Sequence, residues 1–118
     1  MSRDYKIYLN DILKAIERIE RYAGKLTKEN FVEDELVVDG VVRNLEIIGE
    51  AVKNIPKDIK NKYPKMDWKK IVGFRDILIH GYFSVNFEIV WEIITNRVPE
   101  LKKCVKNILN NNIKKDKE

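Results

Sequence analysis

The sequence predicts an all-α fold, a compact bundle of four or five helices joined by short connections. Apolar residues recur at spacings of three and four along most of the chain, which is the period of a helix with one packed face. Only five glycines and three prolines interrupt the chain, and its 118 residues suit one domain with one modest core. Residues 1–110 are expected to form that domain, and residues 111–118 a frayed, lysine-rich tail.

The first two helices are predicted from their apolar stripes. The first should cover residues 5–23, with Asp4 as its cap and Gly24 as its stop. The second should cover residues 38–55, where apolar residues recur on two faces. Part of it, VVDGVV at residues 37–42, also resembles two short strands around an Asp-Gly turn. Because the helical spacing continues unbroken beyond that run, we prefer the helix.

Two further helices are predicted in the second half of the chain. A lysine-rich connector over residues 56–67, which begins at a proline, is expected to hold one short helical turn. Asp67 is the predicted cap of a third long helix over residues 68–80. The last helix is predicted to begin near Asn86, and Pro99 should kink or break it because proline removes a backbone donor.

Charge is distributed unevenly along the chain, whose formal net charge is +4. Residues 53–70 hold seven lysines against two aspartates, and residues 102–118 hold six lysines against two acids. Residues 26–52 hold seven acids against two basic residues. This asymmetry allows a basic surface that attracts a polyanion such as RNA, although lysine-rich faces are also common simply because they keep a protein soluble.

The composition argues against several other classes of protein. No apolar run reaches the roughly 18 residues of a membrane span, and the N-terminus lacks the apolar core of a signal peptide, so a cytoplasmic location without a membrane partner is expected. Cys104 is the only cysteine and is interpreted as a small core residue. With no cysteine or histidine cluster and no glycine-rich phosphate loop, neither a metal nor another cofactor is expected.

The third long helix carries an arginine where a core residue would be expected. At about 100° per residue its apolar side chains cluster on one side, and Arg75 lies in the middle of that cluster. The cluster comprises Trp68, Ile71, Val72, Leu78 and Ile79. A guanidinium at such a position needs an acid, a phosphate or a wet cleft, because burying it unpaired is too costly. A structural ion pair with Glu46 or Glu50 of the preceding helix therefore competes with a functional site as the explanation.

The only histidine, His80, lies in the last turn of the same helix, with Asp76 one turn earlier on nearly the same face. This pair could orient an imidazole for acid and base chemistry near neutral pH. The simpler interpretation is a favourable charge at a helix C-terminus. Gly81 and Tyr82 likewise fit a glycine stop followed by an aromatic ring that packs back onto Ile77.

Taken together, these residues resemble a known family signature. The run RDILIHGY at residues 75–82 is similar to the arginine-polar-x3-histidine-x-tyrosine signature of HepT-like toxins, a branch of the HEPN superfamily. RNLEIIGEAVKNIP at residues 43–56 resembles the second-helix segment of these proteins, and MDWKKIVGFRD at residues 66–76 resembles the entry into their active-site helix. The resemblance extends from residue 4 to about residue 110.

The resemblance implies an all-helical, HEPN-like fold, a homodimer and the metal-independent cleavage of RNA, with Arg75 and His80 as the catalytic pair and Asp76 in support. It also implies the toxin of a toxin–antitoxin system. The antitoxin partner would be a minimal nucleotidyltransferase that modifies the tyrosine matching Tyr82 with AMP. Two alternatives are a non-catalytic helical module that holds nucleotide or RNA, and a purely structural partner subunit of the nucleotidyltransferase.

A dimer would suit the chemistry that these residues can support. In metal-free cleavage the 2′-hydroxyl of RNA is the nucleophile, so one group must accept its proton and another should protonate the departing 5′-oxygen. One imidazole serves only one of these roles at a time, whereas a two-fold dimer with the third helices near its axis supplies two histidines and two arginines.

A dimer would also address a geometric difficulty. Arg75 and His80 lie five positions apart and should point about 140° from one another on a straight helix. Either the last turn distorts near Gly81, or the arginine meets the histidine of the other subunit. The role expected for Arg75 is to hold the scissile phosphate and stabilise its growing charge through bidentate hydrogen bonds.

Overall fold

The structure, a computed structural model, describes the backbone of residues 5–80 and 86–117, and the side chains of residues 5–80 and 86–111. These residues form helices and connections and no strand, so the all-α prediction is confirmed. The helices are α1 (Tyr5–Ala23), α2 (Lys28–Glu33), α3 (Glu35–Lys53), α4 (Lys57–Asn61), α5 (Trp68–His80), α6 (Phe87–Glu92) and α7 (Val98–Lys117), with a π-helical segment (Ile93–Arg97) between α6 and α7.

The core lies between α1, α3 and α7, whose apolar stripes face one another. The stripes predicted for these helices are the buried ones, because residues three and four apart on a helix share a face. From α1 the core receives Leu9, Ile12, Ala15, Ile16, Ile19 and Ala23; from α3 chiefly Val38, Val41, Val42, Leu45, Ile48 and Val52; and from α7 Val98, Leu101, Val105 and Ile108. Helix α3 is buried on two faces, one against α1 and the other against α5.

The VVDGVV run lies inside α3, so the alternative prediction of a hairpin is wrong. The side chain of Asp34 caps the helix, accepting a hydrogen bond from the backbone N–H of Val37 at 3.1 Å. Val38, Val41 and Val42 are then buried against the rest of the core. Burial along the whole stripe outweighs the local preference of β-branched residues for strands.

Helix α2 was not predicted from the sequence. It has only six residues, too few to show a helical period. Its start is marked by Thr27, whose hydroxyl accepts a hydrogen bond from the N–H of Asn30 at 3.2 Å. The helix is held in place by Phe31, which is fully buried and packs against the ring of Trp91 with a centroid distance of 5.3 Å.

The C-terminal helical region begins where the sequence predicts and changes helix type just before Pro99, while the chain stays helical through that residue. Asn86 caps α6 by accepting the N–H of Glu88 at 2.8 Å. Regular α-helix then gives way to the π-helical segment, and α7 resumes at Val98 with Pro99 in its first turn. At the junction the N–H of Val98 still donates to the carbonyl of Ile93, in the i to i−5 pattern of the π segment, and Pro99 next to it has no N–H to donate. The backbone of α7 continues to Lys117, and fraying of the lysine-rich tail stays a prediction.

Helix α5 is fixed at its start by hydrogen bonds and along one flank by α3. Asp67 caps it as predicted, accepting the N–H of Lys70 at 3.1 Å. The indole N–H of Trp68 donates to the carbonyls of Lys60 and Tyr63 at 3.2 and 3.1 Å. These bonds tie α5 to the preceding connector, which contains the short helix α4 expected there.

The composition also led to expectations about Cys104 and about membrane-spanning helices. Cys104 is half-buried against the core as expected, and burial raises the pKa of its thiol. In the ranges that the structure describes, no helix is both long and apolar enough to cross a membrane.

Candidate active site on helix α5

Arg75 faces α3 at the closest approach between the two helices. A Cβ atom placed on Gly49 of α3 would lie 2.7 Å from Cγ of Arg75 and still closer to its Cβ, a separation that real side chains do not adopt. Glycine is therefore required at position 49 for α5 to lie where it does. Gly49 was not among the residues predicted from the sequence, although a glycine inside an otherwise apolar helical stripe is a signal of close packing.

The guanidinium of Arg75 is paired with two carboxylates from two helices. Its NH2 group lies 2.7 Å from Oε2 of Glu50 on α3, and its NH1 group donates to Oδ1 of Asp76 at 2.8 Å. The hydrogen bond to Asp76, followed by the charge of Glu50, raises the pKa of Arg75, although partial burial acts in the opposite direction. The ion pair considered from the sequence is thus formed with Glu50, whereas Glu46 lies 3.6 Å from Arg43.

One donor of this guanidinium has no acceptor within the described ranges. The Nε atom of Arg75 is buried and makes no hydrogen bond there. The side chain as a whole is only 20% exposed. A buried N–H without an acceptor is unfavourable, and this nitrogen is out of reach of solvent in the protomer.

Arg75 lines a cleft of about 300 Å³ between α1, α3 and α5, which we call the arginine cleft. Its walls are formed by Tyr8, Asp11, Arg43, Glu46, Ile47, Glu50, Ala51, Asn54, Arg75 and Ile79. Three carboxylates and two guanidiniums belong to this set, so one protomer by itself presents a weak site for an anion.

His80 is the last residue of α5 and is exposed. Arg75 points toward Glu50 of α3 and lines the arginine cleft, whereas His80 is not among the residues that line it. The carboxylate of Asp76, expected to support His80, accepts a hydrogen bond from Arg75. Gly81 and Tyr82 lie outside the described residues.

The apolar cluster predicted around Arg75 is only partly buried. Trp68 and Leu78 are buried and Ile71 and Val72 half-buried, but Ile79 is 44% exposed and lines the arginine cleft. The reason is that α3 covers one flank of α5 and leaves the rest open. Ile77 on the open side is 58% exposed. Helix α5 therefore carries exposed apolar surface close in sequence to His80.

The lysines of the basic segment 53–70 lie beside the start of α5. Lys57 and Lys60 belong to α4, and Lys69 and Lys70 lie in the first turn of α5. Partial burial, together with the nearby charge of Lys57, lowers the pKa of Lys60. Among the side chains that the structure describes, no group of three or more His, Cys, Asp or Glu residues is arranged to hold a metal ion.

Comparison with known proteins identifies the family. A family model described as "Ribonuclease HepT-like" matches residues 12–108. A protein named as a candidate RNase from Caldanaerobacter subterraneus subsp. tengcongensis is 52% identical over 103 residues, which cover 86% of this chain and 91% of that protein. The "Probable ribonuclease HepT" of Thermococcus cleftensis is 43% identical over 102 residues, which cover 86% of this chain and 93% of that protein.

A candidate RNase of Methanocaldococcus jannaschii is 42% identical over 111 residues, which cover 91% of this chain and 92% of that protein. No solved structure matches the chain significantly. The family model covers most of the chain, including α5 with Arg75 and His80, and the relatives align over nearly their whole length. The chain therefore belongs to the HepT-like ribonuclease family.

Proposed function

We propose that this chain is a metal-independent ribonuclease whose active site combines Arg75 and His80 from two copies of the protein. We further propose that it is the toxin of a toxin–antitoxin system, neutralised when a nucleotidyltransferase antitoxin transfers AMP to Tyr82. Membership of the HepT-like ribonuclease family supports the first proposal. The observation that carries it is the position of the signature arginine, which lines a cleft between three helices.

Each residue of the pair has a distinct chemical task in this proposal. His80 accepts the proton of the RNA 2′-hydroxyl, and the imidazole of the second copy protonates the departing 5′-oxygen. Arg75 holds the scissile phosphate and stabilises the charge that develops on it. Arginine suits this role because its planar fork donates two parallel hydrogen bonds to a phosphate, which lysine cannot do.

Two features of the protomer favour a dimeric site. His80 does not line the cleft that Arg75 lines, and carboxylates outnumber arginines around that cleft. A second copy placed against the open face of α5 would cover Ile77 and Ile79, the exposed apolar residues of that helix. It would also add an arginine and a histidine to the site.

Cleavage is tested with purified protein and total RNA in excess chelator. We expect the parent to cleave, His80→Ala to be inactive, and Arg75→Lys to be slower by about 100-fold or more, since lysine cannot reproduce the bidentate contact. Lys25→Ala, at an exposed lysine between α1 and α2 and outside the basic segment 53–70, is the control and should cleave like the parent. Cleavage that stops on chelation, or that persists in His80→Ala, would contradict the proposal.

The antitoxin proposal is tested by mass spectrometry after co-expression with the cognate nucleotidyltransferase. Addition of one or more AMP groups is expected on the parent, and none on Tyr82→Phe. The exposed Tyr22 offers a matched control, because Tyr22→Phe should still be modified. AMP on Tyr82, two residues after His80 in the sequence, would add a bulky anion that competes with RNA by charge and volume. An unshifted parent mass would count against this proposal.

One observation favours a second function, that of a non-catalytic partner subunit of the nucleotidyltransferase. The guanidinium of Arg75 is already paired with Glu50 and Asp76, as in a structural ion pair. In that case RNA would stay intact under every condition of the cleavage assay, while the complex with the nucleotidyltransferase would still form.

A further inference from the structure

We infer that Glu50 is the positioning residue of Arg75, and that its charge also limits how tightly the substrate phosphate is held. Glu50 lies on α3, outside the arginine-histidine-tyrosine signature on α5. The inference rests on the proposed ribonuclease function, because it concerns how Arg75 meets RNA.

The two carboxylates around Arg75 are not equivalent. Asp76 is the next residue along α5, so its hydrogen bond to NH1 moves with the helix that carries Arg75. Glu50 reaches NH2 from α3 at 2.7 Å and ties the guanidinium to a second helix. Bonds to two different nitrogens fix the plane of the guanidinium, so Glu50 determines its orientation relative to the rest of the fold.

Glu50 is placed for this contact by its neighbour in the sequence. Gly49 lacks a side chain where α3 and α5 meet, which brings the backbones close enough for the next residue to reach across. The side chain of Glu50 is 52% exposed. Ion pairs with a partner this exposed contribute little to stability. If the role of Glu50 were purely structural, replacing it would therefore change stability and activity very little.

The same carboxylate works against the substrate. A phosphate bound to Arg75 would lie within a few ångströms of Glu50, in a cleft where carboxylates already outnumber arginines. Arginine has five N–H donors, and the Nε–H is the one that is buried without an acceptor in the described ranges. Glu50 fixes Arg75 through NH2, so it opposes phosphate binding both by its charge and by occupying that donor.

Positioning and repulsion predict opposite effects on two kinetic constants. Glu50→Ala frees the guanidinium and should lower kcat by about 10- to 100-fold, since a small misplacement of a catalytic group has effects of this size. Glu50→Gln keeps an acceptor but removes the charge, so KM for RNA should fall about threefold and kcat should stay within about twofold of the parent.

Glu20→Ala and Glu20→Gln are matched controls. Glu20 forms an ion pair of similar length with Lys102, at 2.8 Å between α1 and α7, and does not line the arginine cleft. Both controls should retain the kcat and KM of the parent. Melting temperatures of all four variants should stay close to that of the parent, which separates a kinetic effect from loss of the fold.

A measurement on Arg75 itself does not depend on activity. In 15N-labelled protein, the Nε–H resonance of Arg75 should show slow exchange with water in the parent and in Glu50→Gln, and fast exchange in Glu50→Ala. If the parent does not cleave RNA, the proposed function fails, and the resonance still shows whether Glu50 fixes the guanidinium. Unchanged exchange in Glu50→Ala, or kinetic constants of both Glu50 variants equal to those of the parent, would overturn the inference.

Discussion

Helices α1 and α5 are held in the fold in different ways. Six of the 19 residues of α1 are buried, and the helix packs against both α3 and α7. Only two of the 13 residues of α5 are buried, and α3 is its main neighbour. The helix that carries Arg75 and His80 is thus attached along one flank. The packing of the protomer does not explain the polar and exposed apolar residues of α5. A helix that shares a site with another surface would carry residues of this kind.

The contrast is repeated within α5 itself. Leu78 is 1% exposed and fills the interface with α3, while its neighbour Ile77 is 58% exposed. Two glycines show the same contrast, Gly49 on α3 and Gly73 on α5. A Cβ atom at Gly49 would overlap Arg75, whereas one at Gly73 would have no atom within 4 Å among the described residues. Substitutions at these positions test whether the two flanks of α5 differ as described.

The largest expected effect is in the well-packed region. Ile12→Ala removes a fully buried side chain between α1 and its neighbours and should lower the free energy of unfolding by about 4 kcal/mol. Urea unfolding at a fixed protein concentration measures this change. A loss below about 1 kcal/mol would mean that the core relaxes around the cavity, and that α1 is no better anchored than α5.

A smaller loss is expected where α5 meets α3. Gly49→Ala places a methyl group against Arg75 and should lower the free energy of unfolding by about 2 kcal/mol, because the helices must separate. Cleavage should fall as well, since Arg75 and Glu50 move apart. Equal stability and activity in parent and variant would show that the contact is looser than the structure indicates.

On the open face, the corresponding substitution should have the opposite sign. Gly73→Ala has no clash in the protomer and should raise the free energy of unfolding by about 0.7 kcal/mol, since alanine favours the helix. The same urea titration compares it with Gly49→Ala. A loss of stability instead would indicate that another surface, such as a second copy, closely approaches Gly73.

The smallest change in the free energy of unfolding is expected at Ile77. Ile77→Ser replaces an exposed side chain and should alter protomer stability by less than about 0.5 kcal/mol. If the open face of α5 meets a second copy, the same variant should shift the protein toward monomer in light scattering after size-exclusion chromatography. A parent and a variant of equal mass in solution would place the dimer contact elsewhere.

The sequence alone was sufficient for the helices that bury a long stripe. The periods in α1, α3 and α7 are repeated over several turns, and Pro99 marks the change of helix type before α7. Short helices were harder to predict from the sequence. Helix α2 depends on Phe31 meeting Trp91, about 60 positions later in the chain, and no local pattern carries that information.

The residues of the candidate site follow the same division. Arg75 and His80 could be chosen from the sequence, since an arginine within an apolar stripe and a lone histidine at a helix end are visible there. The sequence left Glu46 and Glu50 equal as partners of Arg75, because both lie on the preceding helix. Only the crossing of α3 over α5 selects Glu50.

What the sequence determined is therefore the long helices and the choice of Arg75 and His80 as candidate site residues, since both depend on residues that are near one another along the chain. The tertiary structure decided which carboxylate holds Arg75 and which flank of α5 stays open. The physical reason is that one glycine, Gly49, sets the approach of two helices, and the distance between backbones in space is not encoded in the period of either helix.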